Sequence, residues 1–331
     1  MRTGVLLAGL AGLAACARTH PPAPARVDQS SDVREVTLAN GFLTVSLDIP
    51  RLPAGPKPTV ISPGPERDAL HDAGAVIVTF HANWELLKGF IKPPAPQGSA
   101  ESGEEPPPAD TYGAWLLASP SPKTVGKGYF ELIAYNSTAA IPTIVDHLVT
   151  VPEIDPRRIG IGGRSTGGIT ALQAVAAEPR LAAAAVTVAC GDYRCFLHRS
   201  TLGMKGEPLD LDPAYAAFLD KLDPALHPER LTHAAVLMVN GADDVAVPLP
   251  CAESTERALA KAYACAGVPE RLRFTVVEGE GHNLSARADE EVMVWWYRWL
   301  LRPSEPLPAL PRRVSLRTSR RPSRPSSPSR R

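Results

Sequence analysis

The segment from Arg158 to Gly168 restricts the fold more than any other part of the chain. It reads Arg158-Ile-Gly-Ile-Gly-Gly-Arg-Ser-Thr-Gly-Gly. A short apolar run, Arg158 to Gly162, leads into Gly163-Arg164-Ser165-Thr166-Gly167. A helix-forming stretch, Gly167 to Ala177, then ends before Pro179. The pentapeptide alone carries little. Between a strand and a helix it describes a tight turn that presents a serine hydroxyl at the edge of a sheet. Such a turn is strained, and the glycines on either side remove side chains that would collide. The following Thr166 N–H lies at a helix N-terminus, where it can stabilise a developing oxyanion. Two other glycine-loop chemistries are excluded. A phosphate-binding P-loop needs Gly-Lys-Ser/Thr, but Gly167 is followed by Gly168-Ile169. A dinucleotide fingerprint starting at Gly160 would need glycine where Ser165 stands.

The surrounding pattern predicts an α/β fold with a mostly parallel central sheet and helices on both faces. Two β-rich runs, VREVTL and FLTVSLDI, flank Asn40-Gly41 and predict an N-terminal antiparallel hairpin. Strands are expected at Thr59–Ser62, Ala75–Phe80, Ile159–Gly162, Ala184–Ala189, Ala235–Asn240 and Leu272–Val277. Helices are expected at Glu66–Ala73, Tyr129–Val149, Gly167–Ala177, Glu253–Ala264 and Asp289–Leu301. Strands alternating with helices imply parallel pairing through right-handed crossovers. Two stretches interrupt the alternation. Residues 93–110 are rich in Pro, Gly, Glu and Ser and read as a flexible surface loop. Residues 192–233 carry helical fragments such as AYAAFLDKL and are expected either to cap the site or to form a peripheral connection.

A serine hydroxyl needs a base to take its proton. Of the eight histidines, His282 is the best placed, in Glu278-Gly-Glu-Gly-His-Asn between the strand LRFTVV and the last helix. Loops at the C-terminal ends of parallel strands are where α/β sites assemble. His81, after the strand AVIVTF, is the rival. The base in turn needs an orienting carboxylate. The loop after AAVLMVN offers two adjacent acids, Asp243 and Asp244; Asp192 is a third choice.

Together these residues resemble the α/β-hydrolase superfamily. Gly241-Ala-Asp-Asp244-Val-Ala-Val-Pro248 looks like its G-x-x-D-x-x-V-P pattern, which selects Asp244, and the order Ser…Asp…His is the order of that fold. Glu153-Ile-Asp-Pro-Arg-Arg-Ile and Asp223-Pro-Ala-Leu-His-Pro-Glu resemble the dienelactone-hydrolase-like and prolyl-oligopeptidase-like branch. The resemblance covers about residues 34–301. It implies a serine hydrolase with Ser165 as nucleophile, His282 as base and Asp244 behind it, acting without a cofactor on a small-molecule or acyl substrate. Esters or thioesters are the expected substrates. The alternatives are a peptidase or amidase with the same triad, and a binding protein on a hydrolase scaffold. The chain departs from the family at the second oxyanion donor. Where the family has His-Gly-x after the third strand, this sequence has Pro63-Gly64-Pro65. Pro65 has no N–H, so Gly64, Glu66 or a side chain is expected to substitute.

The ends of the chain carry a different signal. Arg2, the apolar stretch Gly4–Ala15 and Leu13-Ala14-Ala15-Cys16 resemble a bacterial lipoprotein signal, with Cys16 as the lipidated residue. The expected organisation is a signal peptide at 1–15, a tether at 16–33, the hydrolase domain at 34–301 and a disordered Arg/Ser/Pro-rich tail at 302–331. The chain is then exported and lipid-anchored in the cell envelope. Ala17, in place of a retaining Asp, favours the outer membrane. The formal net charge is +0, yet residues 312–331 hold eight arginines and no acid, which leaves −8 on the rest. An acidic body gives no footprint for nucleic acid. No Cys-x-x-Cys or His-Glu-x-x-His occurs, so a metal site is not expected. Cys190, Cys195, Cys251 and Cys265 are read as two local disulfides, 190–195 and 251–265, or as four free thiols. Oligomeric state is left open by the sequence.

Overall fold

The computed structural model describes residues 31–82 and 121–302. The signal peptide with Cys16, the tether up to residue 30, the 93–110 loop and the tail from 303 lie outside the described residues; residues 31–33, expected in the tether, belong instead to the first strand, where they pair with Asp48 to Pro50.

The described residues open with the expected hairpin. β1 (Ser31–Leu38) pairs antiparallel with β2 (Leu43–Pro50), closing at Leu38 opposite Leu43. The turn is longer than Asn40-Gly41 alone implies. A 3₁₀ turn over Ala39–Gly41 makes the reversal, with Gly41 at φ 93°. On β2, Leu43, Val45, Leu47 and Ile49 are buried while Thr44, Ser46 and Asp48 are half-buried, the period of two that a one-sided strand requires.

β3 (Lys57–Ile61), α1 (Arg67–Asp72) and β4 (Val76–Ala82) follow. α2 (Lys127–Tyr135) and α3 (Ile141–Leu148) are joined by a π-turn over Asn136–Ala140, so the single helix expected there is one helical run. Next come β5 (Ile154–Arg164), α4 (Thr166–Ala177), β6 (Leu181–Thr187), α5 (Tyr193–Arg199), α6 (Pro213–Leu222) and β7 (Ala235–Gly241). α7 (Leu249–Cys265), β8 (Leu272–Val277) and α8 (Ala286–Trp296) complete the domain. Among the described residues the sheet has eight strands in the order β1-β2-β4-β3-β5-β6-β7-β8. β1/β2 and β2/β4 are antiparallel; every later pair is parallel. This is the α/β-hydrolase architecture.

The apolar strands of the centre are explained by burial on both faces. Ala184, Val186, Val236 and Met238 face a core built with Phe130, Ile141, Ile169 and Leu259. Their neighbours Ala183, Ala185, Ala235, Leu237 and Val239 face a second core with Leu70, Trp295 and Trp296. Each such fully buried branched side chain stabilises the fold by roughly 1.5–3 kcal/mol. Among the described residues, no helix is long and apolar enough to cross a membrane.

The excursion at 192–233 packs into the main core. Tyr193, Phe196, Leu197, Tyr215 and Leu219 are buried there, and the Phe130 and Tyr193 rings lie 4.5 Å apart. The cysteine pairing differs from the local one expected. Cys195 bonds Cys251, while Cys190 is a buried thiol and Cys265 an exposed one. Helix geometry explains the correction. Cys251 and Cys265 both lie on α7, fourteen residues apart, a rise of roughly 21 Å at 1.5 Å per residue. A disulfide needs Cα atoms within about 7 Å. Cys195 and Cys251 meet that condition, at 5.4 Å.

Candidate active site

β5, β7 and β8 are parallel neighbours separated only by β6, so the loops at their C-terminal ends converge at one edge of the sheet. Each loop delivers one side chain. Ser165 follows β5 directly, at φ 54° and ψ −120°, a conformation that non-glycine residues rarely adopt. The chain tolerates it because Ser165 N donates to Thr187 O (2.9 Å) and Ser165 O accepts from Ile169 N (2.9 Å), which ties the turn to β6 and to α4. The elbow also brings two backbones together. A Cβ on Gly163 would lie 2.3 Å from the Gly167 carbonyl oxygen. Gly163 and Gly167, expected to be equivalent, differ. A Cβ on Gly167 would meet nothing, whereas one on Gly168 would lie 2.7 Å from Ala189 Cβ.

The three side chains form one hydrogen-bonded line. His282 Nε2 lies 3.0 Å from Ser165 Oγ, and His282 Nδ1 lies 2.9 Å from Asp244 Oδ2. A carboxylate only accepts, so Nδ1 carries the proton of the neutral ring. Nε2 is then the acceptor for the serine hydroxyl. Asp244 is 4% exposed, and its second oxygen accepts the Ala246 and Val247 N–H groups, both at 2.9 Å. Those bonds hold the carboxylate while leaving Oδ2 for the ring. Asp243 is exposed, and its N–H donates to Glu280 O (2.9 Å). Asp192 caps α5 through Cys195 N (2.9 Å) and accepts the Ser254 hydroxyl (2.6 Å). His81 is exposed on β4, paired in register with Thr44 of β2. None of these three joins the line. The excursion braces the acid loop: Ser200 Oγ donates to Ala246 O (2.6 Å) and Thr201 N to Val245 O (3.0 Å).

The oxyanion side is less open than the sequence implied. Thr166 begins α4, so its N–H has no partner within the helix. The loop after β3 is different. Ser62 N donates to Val78 O, and Pro63 and Pro65 have no N–H. The Glu66 carboxylate folds back against Gly64, where a Cβ would lie 2.7 Å from its Oε2, and burial pushes its pKa up. Trp296 Nε1 donates to the same carboxylate (3.2 Å). The expected second donors, Gly64 and Glu66, thus lie beside a buried carboxylate.

Tyr129 escaped the sequence reading. Its hydroxyl, buried on α2, donates to Thr166 Oγ1 (3.0 Å), and burial pushes its pKa up, so it stays protonated. The two residues are 37 positions apart, and no local pattern signals the contact. Among the described residues, no group of three or more His, Cys, Asp or Glu is arranged to hold a metal ion.

The chain is similar to several known proteins. A Bacillus subtilis (strain 168) protein named "Putative esterase YitV" is 26% identical over 179 residues, 52% of this chain and 69% of its own length. A Pyrococcus horikoshii acylaminoacyl peptidase superposes with a TM-score of 0.57 at 16% identity, over 85% of this chain and 43% of its own. A Mycobacterium tuberculosis puromycin-hydrolyzing peptidase gives 0.54 at 18%, over 82% and 39%. The chain thus spans about two fifths of the length of both peptidases, and likeness at these identities concerns the fold alone. Residues 131–304 match the prolyl oligopeptidase family, Peptidase_S9. That stretch contains the Ser165 elbow and both partner loops, and the chain belongs to the prolyl oligopeptidase family of serine hydrolases.

Proposed function

We propose that the protein hydrolyses carboxylic esters or thioesters through an acyl-enzyme on Ser165. The observation that carries this reading is the line Ser165–His282–Asp244, with separations of 3.0 and 2.9 Å. Ser165 Oγ attacks the substrate carbonyl as its proton passes to His282 Nε2. Asp244 holds the ring in the required tautomer and stabilises the imidazolium that forms. The Thr166 N–H receives the oxyanion. Collapse expels the alcohol or thiol, protonated by His282. Water then attacks the acyl-enzyme with His282 again as base, and the acid leaves.

The oxyanion side supports ester over peptide. With the Glu66 carboxylate folded against Gly64, Thr166 is, among the described residues, the one backbone donor identified for the oxyanion. Losing a single such donor reduces rates by roughly 10²–10³. An ester has a better leaving group than an amide and tolerates a weaker hole. The name of the Bacillus relative points the same way. The second reading, a peptidase or amidase, draws on the family and on the two peptidase folds. A fluorophosphonate should label the protein, and Ser165→Ala should abolish both labelling and turnover. Comparing p-nitrophenyl esters with aminoacyl-p-nitroanilides then separates the readings; faster cleavage of anilides overturns the ester assignment.

We also propose that the chain is exported and anchored through lipid on Cys16, in the outer membrane. Cys16→Ser should block lipidation and release the protein from the membrane fraction. Wild-type protein found wholly soluble in the periplasm overturns the anchor.

A further inference from the structure

The residue before the nucleophile has no part in the chemistry above. Arg164 ends β5 with an exposed side chain. Its Nη2 donates to the carbonyl of His282 (2.5 Å) and to Asn283 Oδ1 (2.7 Å). One nitrogen with two hydrogens thereby grips two consecutive residues of the loop that carries the base.

On its other side, that loop is already fixed to the acid. Ala242 N donates to Val277 O (3.0 Å) and Asp243 N to Glu280 O (2.9 Å). Gly241 packs so tightly under the loop that a Cβ there would lie 2.3 Å from Gly281 O and 2.4 Å from Glu280 O. These contacts set His282 against Asp244, not against Ser165. Among the described residues, the hydrogen bonds between the base loop and the elbow are the Ser165–His282 bond itself and the two from Arg164.

We propose that Arg164 is a positioning residue, a latch that holds the His282 loop on the nucleophile elbow and so fixes Nε2 against Ser165 Oγ. The proposal rests on the reading of Ser165 and His282 as nucleophile and base. Arginine suits the task. Its planar fork is rigid, always charged and purely a donor, and both targets are acceptors. Charged donors also make stronger bonds than neutral ones. A misplacement of about 1 Å in a catalytic group can slow a reaction by about a hundredfold.

The test measures the rate of fluorophosphonate labelling, kcat and KM for a p-nitrophenyl ester, and the thermal midpoint. It uses wild type, Arg164→Ala, Arg164→Lys, Asn283→Ala and the Arg164→Ala/Asn283→Ala double variant. Arg164→Ala should slow labelling and kcat by about tenfold to a hundredfold. KM should stay within about twofold and the midpoint should stay at the wild-type value. Arg164→Lys, which keeps the charge as a single-point donor, should recover part of the rate, as should millimolar guanidinium ion added to Arg164→Ala. Asn283→Ala should lose less, and the double variant no more than Arg164→Ala, because both act through one contact. Labelling of Arg164→Ala at the wild-type rate overturns the latch. So does a loss confined to KM, which makes Arg164 a substrate contact, or a loss that tracks a lowered midpoint and is the same in the Lys variant. Wild-type protein that does not label at all brings down the nucleophile reading, and the latch with it.

Discussion

Two histidine–aspartate pairs occur among the described residues, and only one of them is built as a base. His282 and Asp244 sit on loops at the C-terminal edge of the sheet. Nδ1 meets the carboxylate at 2.9 Å, so Nε2 is left to face Ser165. His71 and Asp48 sit on α1 and β2. There Nε2 itself points to the carboxylate, at 3.2 Å and without hydrogen-bond alignment, and Arg67 takes the other oxygen at 3.4 Å. The composition of the pairs is the same. The difference lies in which ring nitrogen the acid occupies, and in what faces the nitrogen left over. Asp244 is held by two backbone N–H groups with its side chain wholly buried, whereas the Asp48 side chain is 19% exposed.

Removing each histidine gives the largest contrast. His282→Ala should reduce turnover by about 10⁴ or more, as loss of a triad base does in related chemistry. His71→Ala should leave kcat and KM at wild-type values. Comparable kinetic losses in the two variants break the comparison, because His71 would then act on the site.

The acids extend the contrast. Asp244→Asn keeps the shape but offers an amide N–H to Nδ1, favours the wrong tautomer and should slow turnover by up to roughly 10⁴. Asp243→Asn should change the rate by less than about tenfold, since its side chain is exposed and its backbone N–H survives the substitution. Asp48→Asn should have no kinetic effect. Steady-state kinetics on one ester decides all three. Equal losses for Asp243→Asn and Asp244→Asn overturn the choice of acid.

Much of this contrast can be read from the sequence. Gly163 to Gly167, between an apolar run and a helical one, identifies the elbow because strand and helix periodicities differ over a few residues. His282 and Asp244 follow from their places after apolar runs. What escaped depends on contacts distant in sequence. The approach of the Glu66 carboxylate to Gly64 depends on how the Pro63-Gly64-Pro65 loop bends back on itself, which proline and glycine spacing alone does not specify. Tyr129 reaches Thr166 across 37 residues. The Cys195–Cys251 bond joins a short helix to the start of a long one, 56 residues on. The expectation of a local bond ignored that Cys251 and Cys265 share one helix.

Another buried carboxylate sharpens the contrast through pH. Asp223 accepts N–H groups from Tyr193 (2.8 Å), Ala225 (2.8 Å) and Leu226 (3.1 Å) and has no histidine partner. Burial pushes its carboxyl up to about 7, with Asp192 adding to the rise. A pKa raised on folding stabilises the fold fully below the unfolded value, near 4. That stability is lost as pH rises through about 7. Wild type should therefore lose stability relative to Asp223→Asn between pH 4 and 8, by a few kcal/mol. Urea denaturation at both pH values measures the difference. A gap that does not change with pH refutes the assignment.

The smallest expected effect belongs to the idle pair. His71→Gln keeps a polar side chain of similar reach beside Asp48, and the Arg67 contact to the other oxygen remains. Partly exposed pairs of this kind contribute about 0–1 kcal/mol. His71→Gln should therefore shift unfolding free energy by less than about 1 kcal/mol and leave fluorophosphonate labelling at the wild-type rate. The labelling measurement is the sharper of the two. α1 begins one residue after Glu66, whose carboxylate lies against Gly64 in the loop after β3. If His71 anchors α1 firmly enough to set that loop, labelling will slow even though the histidine lies away from the serine. Unchanged labelling with a small stability shift means that the pair only packs α1 against β2. The difference between the two histidine–aspartate pairs then reduces to whether the free ring nitrogen faces a nucleophile.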